Sequence, residues 1–515
     1  MTDIGIRRPI ESPGTAAPSQ GLDRMGAGTM DPGAAGPARV DQGDGLNPIP
    51  RPAASSKAQS GILRLIVFIA PAMVLITFDW GIPYAYYTSR LFAIICGICG
   101  IFYFRECVNF VFRSSFFMFF LWIGLAALSI LYSLAPDISW DRLQSIFLSL
   151  IPLIIIHVMA KEKNDQTLLL AGYVAAGSLL AVLTFVFYDD FLQKTGNVLR
   201  PTTTRIAGPL LNANEYGFAM ALTFVCTLFY ILCARTKAGS FLAIAFLFPQ
   251  LICVSFSGSR GAVVVVLIGV CMFFLTLVLR YKIRGLIWAS IFCVLGAMGT
   301  VVAVAEFGDQ KSFAATLEKN PTTNRLLYLL YKITGDQAFK PSDYRESSFS
   351  HRAELIADSA EIFARNPIFG TGLDTVQVQK SSRGGVFSQK IGTYAHSAYF
   401  EILTATGAVG MLVIVMGIGV LLFGFVPKRT FGAPPKPTED IAARNRKASL
   451  CALGLTLALI FAIRSIFSVT IYSNLGWMCL LMSIILLPKY VLRNSRDARQ
   501  AGASEPDQSI PGIQR

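Results

Sequence analysis

Four cationic or titratable side chains stand in stretches otherwise poor in charge: Arg205 in RIAGPLLNANEYG, Arg260 in SFSGSRGA, His396 in YAHSAYFEILTATGAVG and Arg464 in AIRSIFS. A guanidinium presents a planar fork of donors, keeps its charge when half buried and matches phosphate oxygens in pairs. Several such groups around one imidazole make a site for a diphosphate together with a proton acceptor or donor. Glu215, flanked by Asn212 and Asn214, is a carboxylate a few residues inside an apolar run. It can pair with Arg205 or another cation, or bind sugar hydroxyls. The plain alternative for each arginine is that it snorkels from a helix end to headgroup phosphates. For Arg464 that alternative is ahead. His157, at the end of an apolar run, reads as a neutral, hydrogen-bonded histidine, and His351 as a helix cap or solvated residue.

The elements that must position these residues are membrane helices. Hydrophobic residues make up 53% of the 515 and charged residues only 15%, against about one quarter charged in a soluble chain. Runs of roughly 18–22 apolar residues, each long enough to cross a hydrocarbon core, recur between residues 62 and 487. A bilayer offers the backbone no partners, so these runs must be helices. The fold class is an all-α polytopic membrane protein of about twelve spans: 62–78, 84–104, 115–134, 143–159, 168–188, 211–233, 239–256, 261–279, 285–305, 397–426, 448–467 and 470–487. Residues 1–60, crowded with Gly, Pro, Ala and Ser, read as a disordered cytoplasmic tail without an apolar signal region. Spans 1–9 occupy 61–305, a large loop 306–396, spans 10–12 residues 397–492, and a second polar tail 493–515.

Alternate loops differ sharply in charge. One set holds Arg105 and Arg113, Lys161 and Lys163, Arg235 and Lys237, Arg280, Lys282 and Arg284, and six cations between Lys428 and Lys447. The other set is nearly bare: Asp79, then Asp137 and Asp141 with Arg142, then the 189–210 segment, then Arg260. The positive-inside rule puts the first set and both termini in the cytoplasm. It leaves the loop at 306–396 on the periplasmic side of a bacterial inner membrane. The same count explains a net charge of +14: the cations flank helices and face anionic lipid, so nucleic acid is not an expected partner.

Within the large loop, Leu355, Ile356, Ser359, Ile362 and Phe363 recur at helical spacing, and Pro367 with Gly370-Thr371-Gly372 ends the element. An amphipathic helix lying on the membrane or capping the bundle is expected. The ten cysteines lie almost entirely in apolar runs, which implies no disulfide framework. Cys96-Gly-Ile-Cys99 reads as packing rather than a redox or zinc pair.

RIAGPLLNANEYG, SGSRGA, HRAEL…NPIFGTGLDT and AHSAYFEILTATGAVG, in that order, resemble the O-antigen ligase and Wzy-type polymerase superfamily. The specific part of the likeness spans about residues 200–410, with Ala398 and Val409 as departures. The resemblance implies a membrane glycosyltransferase of the C-type architecture, with a glycan on undecaprenyl diphosphate as donor. It implies lipid A core or a lipid-linked repeat as acceptor. On the same likeness Arg205 and Arg260 engage the diphosphate, and His396 deprotonates or orients the acceptor hydroxyl. Asn212 and Asn214 match polar positions after the first arginine, while Arg352 and Gly372 match structural loop positions. Fixed arginines stabilise a leaving diphosphate without a divalent ion, so neither metal nor cofactor is expected, and a single displacement inverts the anomeric centre. The rival function is a transporter or flippase for the same lipid-linked glycan. That reading asks for internal repeats, broken helices and ionisable groups at mid-span, none of which the sequence displays clearly.

Overall fold

The apolar runs fold as helices because nothing else satisfies their backbone in lipid. The computed structural model describes residues 57–76, 83–162, 165–187, 206–210, 212–234, 236–281, 347–379, 395–423 and 441–487. Among these stand α1 (Lys57–Ile76), α2 (Pro83–Phe102), α3 (Phe104–Arg113), α4 (Phe116–Leu128), α5 (Pro136–Glu162), α6 (Gln166–Val186) and α7 (Ala213–Cys233). They are followed by α8 (Lys237–Ser257), α9 (Arg260–Tyr281), α10 (Ser347–Arg365), α11 (Ala398–Phe423), α12 (Ile441–Phe467) and α13 (Asn474–Leu486). Seven helices are long and apolar enough to cross a bilayer, or eight if one bent pair counts as a span. Shorter apolar helices cover three further expected spans. The expected span 285–305, loop residues 306–346 and 380–394, and the tails except residues 57–60, which open α1 rather than close a tail, lie outside the described residues.

α7 is the axis. It packs against α6, α8, α9 and α12, and Tyr216, Phe218, Val225 and Phe229 on it are buried. α8 and α9 turn Phe241, Phe248 and Leu267 outward, the lipid-facing surface expected of a bundle whose solvent is hydrocarbon.

Two expected spans are not single rods. The run 84–104 breaks at Tyr103, where the chain bends by 86° between Ile94–Phe102 and Phe104–Phe112. Arg105 and Arg113, expected in a loop, lie on α3 instead. The sequence FRECVNFVFR is strongly two-sided, with Phe110 and Val111 buried and Phe104 and Phe112 exposed, so it lies across the direction of α2 rather than extending it.

The second break is in α11. Gly407 adopts φ 67°, ψ −162° inside the helix. Backbone groups freed there need partners, and residues 367–372 supply them. Ala408 N donates to Pro367 O at 2.8 Å, and Thr371 N donates to Thr404 O at 2.8 Å. Gly372 N donates to Ala405 O at 3.1 Å. A Cβ on Gly407 would fall 2.1 Å from Ile368 O, so the close approach requires glycine. NPIFGTG and TATGAVG are two halves of one hydrogen-bonded junction.

α10 packs on α11. Leu355 and Ile362 form its buried face with Val376, and Ser359 is buried between them. Because α10 starts at Ser347, His351 lies in its second turn and is not the cap.

Candidate functional site

One end of the bundle gathers almost all of the expected residues. α8 stops at Gly258, whose left-handed φ of 58° turns the chain back within two residues. Ser259 Oγ then accepts from Ala262 N at 3.4 Å, capping α9, whose first residue is Arg260. Arg260 is exposed. The turn presses on α7: a Cβ at Gly217 would meet Ser257 Oγ at 2.3 Å and Ser259 Cβ at 2.8 Å. Arg205 lies outside the described residues. Its neighbour Ile206 is buried and donates its N–H to Phe256 O at 3.2 Å, in the last turn of α8.

The start of α7 shows why NANE is polar. Asn212 is the N-cap, its side-chain oxygen accepting from Asn214 N at 2.9 Å and Glu215 N at 3.5 Å. That engages the oxygen in a structural role. The Glu215 carboxylate reaches across to α12, where Arg464 Nη2 donates to Oε1 at 2.8 Å. Ser473 Oγ donates to Glu215 Oε2 at 2.7 Å.

Arg464 does not snorkel. Its residue is 5% exposed, and its guanidinium lies 3.4 Å from the centre of the Phe218 ring. Ser468 Oγ is 3.4 Å from Nη2. A buried cation is tolerated only with a counter-charge, and Glu215 supplies it.

His396 sits immediately before α11 on a turn held from several sides. Tyr399 Oη donates to Ala462 O at 2.8 Å, Ser397 Oγ to Ser465 O at 3.4 Å, and Ala398 N to Ser468 O at 3.1 Å. All three acceptors flank Arg464 at the end of α12. The histidine and the buried ion pair therefore hang on one segment. His396 has φ 54°, a left-handed conformation that costs a side-chain-bearing residue about 1–2 kcal/mol. Such strain persists only where neighbours over-determine it.

Beside it lies a polar group that the residue types did not announce. Arg142, at the start of α5, donates from Nε to Asp374 Oδ2 at 2.7 Å, with Nη2 at 2.6 Å. Its guanidinium stands 4.6 Å from the centre of the Tyr472 ring. Burial pushes the Asp374 carboxyl above its ordinary range, opposed by the charge and hydrogen bonds of Arg142. Asp374 also has a left-handed φ of 60°. Ser139 Oγ donates to Leu373 O at 2.6 Å, and Tyr132 Oη to Phe369 O at 2.8 Å. These bonds clamp residues 369–374 between the α4–α5 region and α11. In the sequence Arg142 counts only toward loop charge, and Asp374 stands only as the second-last residue of the NPIFGTGLDT motif. Glu401, in the first turn of α11, is likewise buried and accepts from Ala395 N at 2.7 Å; its signal in the sequence is a carboxylate inside an apolar run, five positions after His396.

His157 is fully buried, with Nδ1 2.6 Å from Leu153 O and Tyr173 Oη 3.4 Å from Nε2. The hydrogen-bonded histidine expected is found. Cys96 and Cys99 are buried free thiols.

Residues 242–415 match the family model described as O-antigen ligase. The matched segment takes in Arg260, the α10 helix, the clamped loop and His396, and stops inside α11. No curated protein matches the chain.

Proposed function

We propose that the chain transfers a glycan from undecaprenyl diphosphate to a saccharide acceptor, a reading supported by the match of residues 242–415 to the O-antigen ligase family model and by the helices long and apolar enough to cross a membrane. The acceptor is lipid A core or a lipid-linked repeat, and transfer takes place at the periplasmic face of the inner membrane. The carrying observation is convergence: the Arg260 turn packs on α7 beside Glu215, Glu215 holds Arg464, and the segment around Arg464 holds the His396 turn.

In this reading Arg205 and Arg260 bind the diphosphate, and their charge rises in value as the leaving group accumulates negative charge in a water-poor site. His396 accepts the proton of the acceptor hydroxyl as its oxygen attacks the anomeric carbon. The bond from that carbon to the diphosphate oxygen breaks, the diphosphate leaves with the electron pair, and the configuration inverts. Arg464 and Glu215 act on this site as its support, since each already holds the other. Asn212 serves in the same way as a helix cap, and Asn214 stands next to it as a candidate sugar contact. The arginines supply the counter-charge, so the reaction runs without a divalent ion.

Among the described residues, the bend at Tyr103 and the break at Gly407 are broken helices of the kind that speaks for a transporter. At Gly407 the polar surroundings tell against it, since the freed groups are bonded by residues 367–372 rather than left facing a path for ions.

Purified protein given a lipid-linked glycan and an acceptor tests the proposal. Arg205→Ala and Arg260→Ala should each abolish product and weaken donor binding. Lysine at either position should restore only part of both, because a point charge lacks the bidentate fork. Normal product from both alanine variants would remove the diphosphate role. A deletion strain separates the two acceptors: free polymer with bare lipid A marks a ligase, and accumulated single repeats mark a polymerase.

A further inference from the structure

We propose that Glu401 is the positioning residue for His396, holding the imidazole where it meets the acceptor hydroxyl; this rests on the transferase reading above. Glu401 lies in the first turn of α11 and is fully buried. Its Oε1 accepts from Ala395 N at 2.7 Å. The tie therefore closes over His396, joining the residue before it to the helix after it. The arrangement is a capping box displaced outward: a carboxylate near a helix N-terminus, favoured there by the helix dipole, reaches back to an amide that precedes the helix. On the opposite side of the turn, Ser397 and Tyr399 bond to the end of α12. His396 is the residue between these two anchors, and it is the one in the left-handed conformation.

Packing alone does not explain a carboxylate here. Glu401 Oε2 is buried without a hydrogen-bond partner among the described residues, a costly state that an apolar residue of similar size would avoid. What the side chain contributes is an acceptor atom at one fixed point. Only a side chain of this length with an oxygen at its end reaches Ala395 N. Leucine or methionine would fill the space and leave that amide buried and unbonded.

The experiment compares Glu401→Ala, Glu401→Asp and Glu401→Gln in the full-length protein. Two readouts are followed: steady-state transfer, and the rate at which diethyl pyrocarbonate modifies His396, located by peptide mass spectrometry. Glutamine keeps an acceptor oxygen at the same reach, whereas aspartate is one methylene short. Alanine and aspartate should lower kcat by about 10–100-fold, the cost of a small displacement of a reacting group, with KM for the lipid-linked donor near its wild-type value. Glutamine should restore most of kcat. The His396 modification rate should change in the alanine and aspartate variants and return to normal with glutamine. If alanine does not fold, the aspartate–glutamine comparison decides alone. Wild-type kcat in the aspartate variant overturns the proposal, and so does a folded glutamine variant as inactive as aspartate. A wild-type protein that transfers no glycan would instead sink the transferase reading, while the modification rates would still report whether Glu401 sets the His396 turn.

Discussion

The two ends of the helix bundle use polar residues in opposite ways. At the end where α5 begins and α12 finishes, charged groups are pulled inside: Arg464 with Glu215, Arg142 with Asp374, and Glu401 beneath the His396 turn. At the other end, about 22 Å along α5 from Arg142 by helical rise, the polar contacts are of an ordinary structural kind. His157 is buried against the Leu153 carbonyl, Arg280 Nη1 donates to Ser449 Oγ at 2.8 Å, and Arg64 pairs with Asp165 at 3.1 Å while its side chain stays 58% exposed. A buried ion pair is weak support for stability compared with an apolar core. Two such pairs at one end, next to two left-handed non-glycine residues, mark the place where stability was set against geometry.

The sharpest way to break this contrast is through its histidines. His396→Ala should lower turnover by about 10²–10⁴-fold, the usual loss of a positioned acid or base, with donor binding retained. His157→Ala should leave most of the turnover of the folded protein intact and show its effect in thermal stability. Equal turnover in the two variants would erase the distinction between the ends.

The ion pairs give the next largest difference. Arg464→Ala strips Glu215 of its counter-charge, and breaking a buried pair costs about 3–5 kcal/mol; the partial exposure of Glu215 places the loss at the low side of that range. Arg64→Ala should cost less, because the Arg64 side chain is 58% exposed and water screens its charge, even though the change takes a partner from the buried Asp165 carboxylate. Denaturation in detergent micelles of matched composition compares them directly.

Gly407→Ala sharpens the picture of the broken helix. The new Cβ meets the Ile368 carbonyl and the left-handed backbone disfavours alanine, so the variant should lose at least about 1–2 kcal/mol. Gly419→Ala, with nothing within 4 Å of its Cβ position, should be neutral or slightly stabilising, as alanine in a helix is. Thermal melts of the two proteins suffice.

The smallest effect concerns Asp374. Its folded carboxyl is raised above the ordinary value, so between the unfolded and folded values the folded state binds more protons. Stability should therefore fall slightly as pH rises through the carboxylate range. Removing the opposing cation with Arg142→Ala should steepen that fall. Melting temperatures between pH 4 and about 6.5, the mildly acidic window around carboxylate values, report it, and an Asp374→Asn variant should flatten the curve.

Much of this was legible in the residues. Apolar length placed most of the described helices, because a bilayer permits few other structures, and the face Leu355–Ser359–Ile362 announced α10. The sequence also put Arg260 at a tight turn and His396 just ahead of a span, since Gly258 and the return of apolar residues are local signals. Partners were not local. Glu215 finds Arg464 from 249 residues away, and Arg142 finds Asp374 across 232. A lone arginine near a helix end looks the same whether it snorkels or is paired, because the difference lies in which helix packs beside it. The bend at Tyr103 and the break at Gly407 belong to the same class: glycine permits the φ of 67°, but only the carbonyls and amides of residues 367–372 make the broken helix stable. Sequence by itself determined which segments leave water and which groups resist leaving it, through transfer energies that act residue by residue. Tertiary structure alone decided which of those groups meet, because a buried charge or a freed amide is stabilised by a partner at a fixed distance, and that distance is set by how the helices pack.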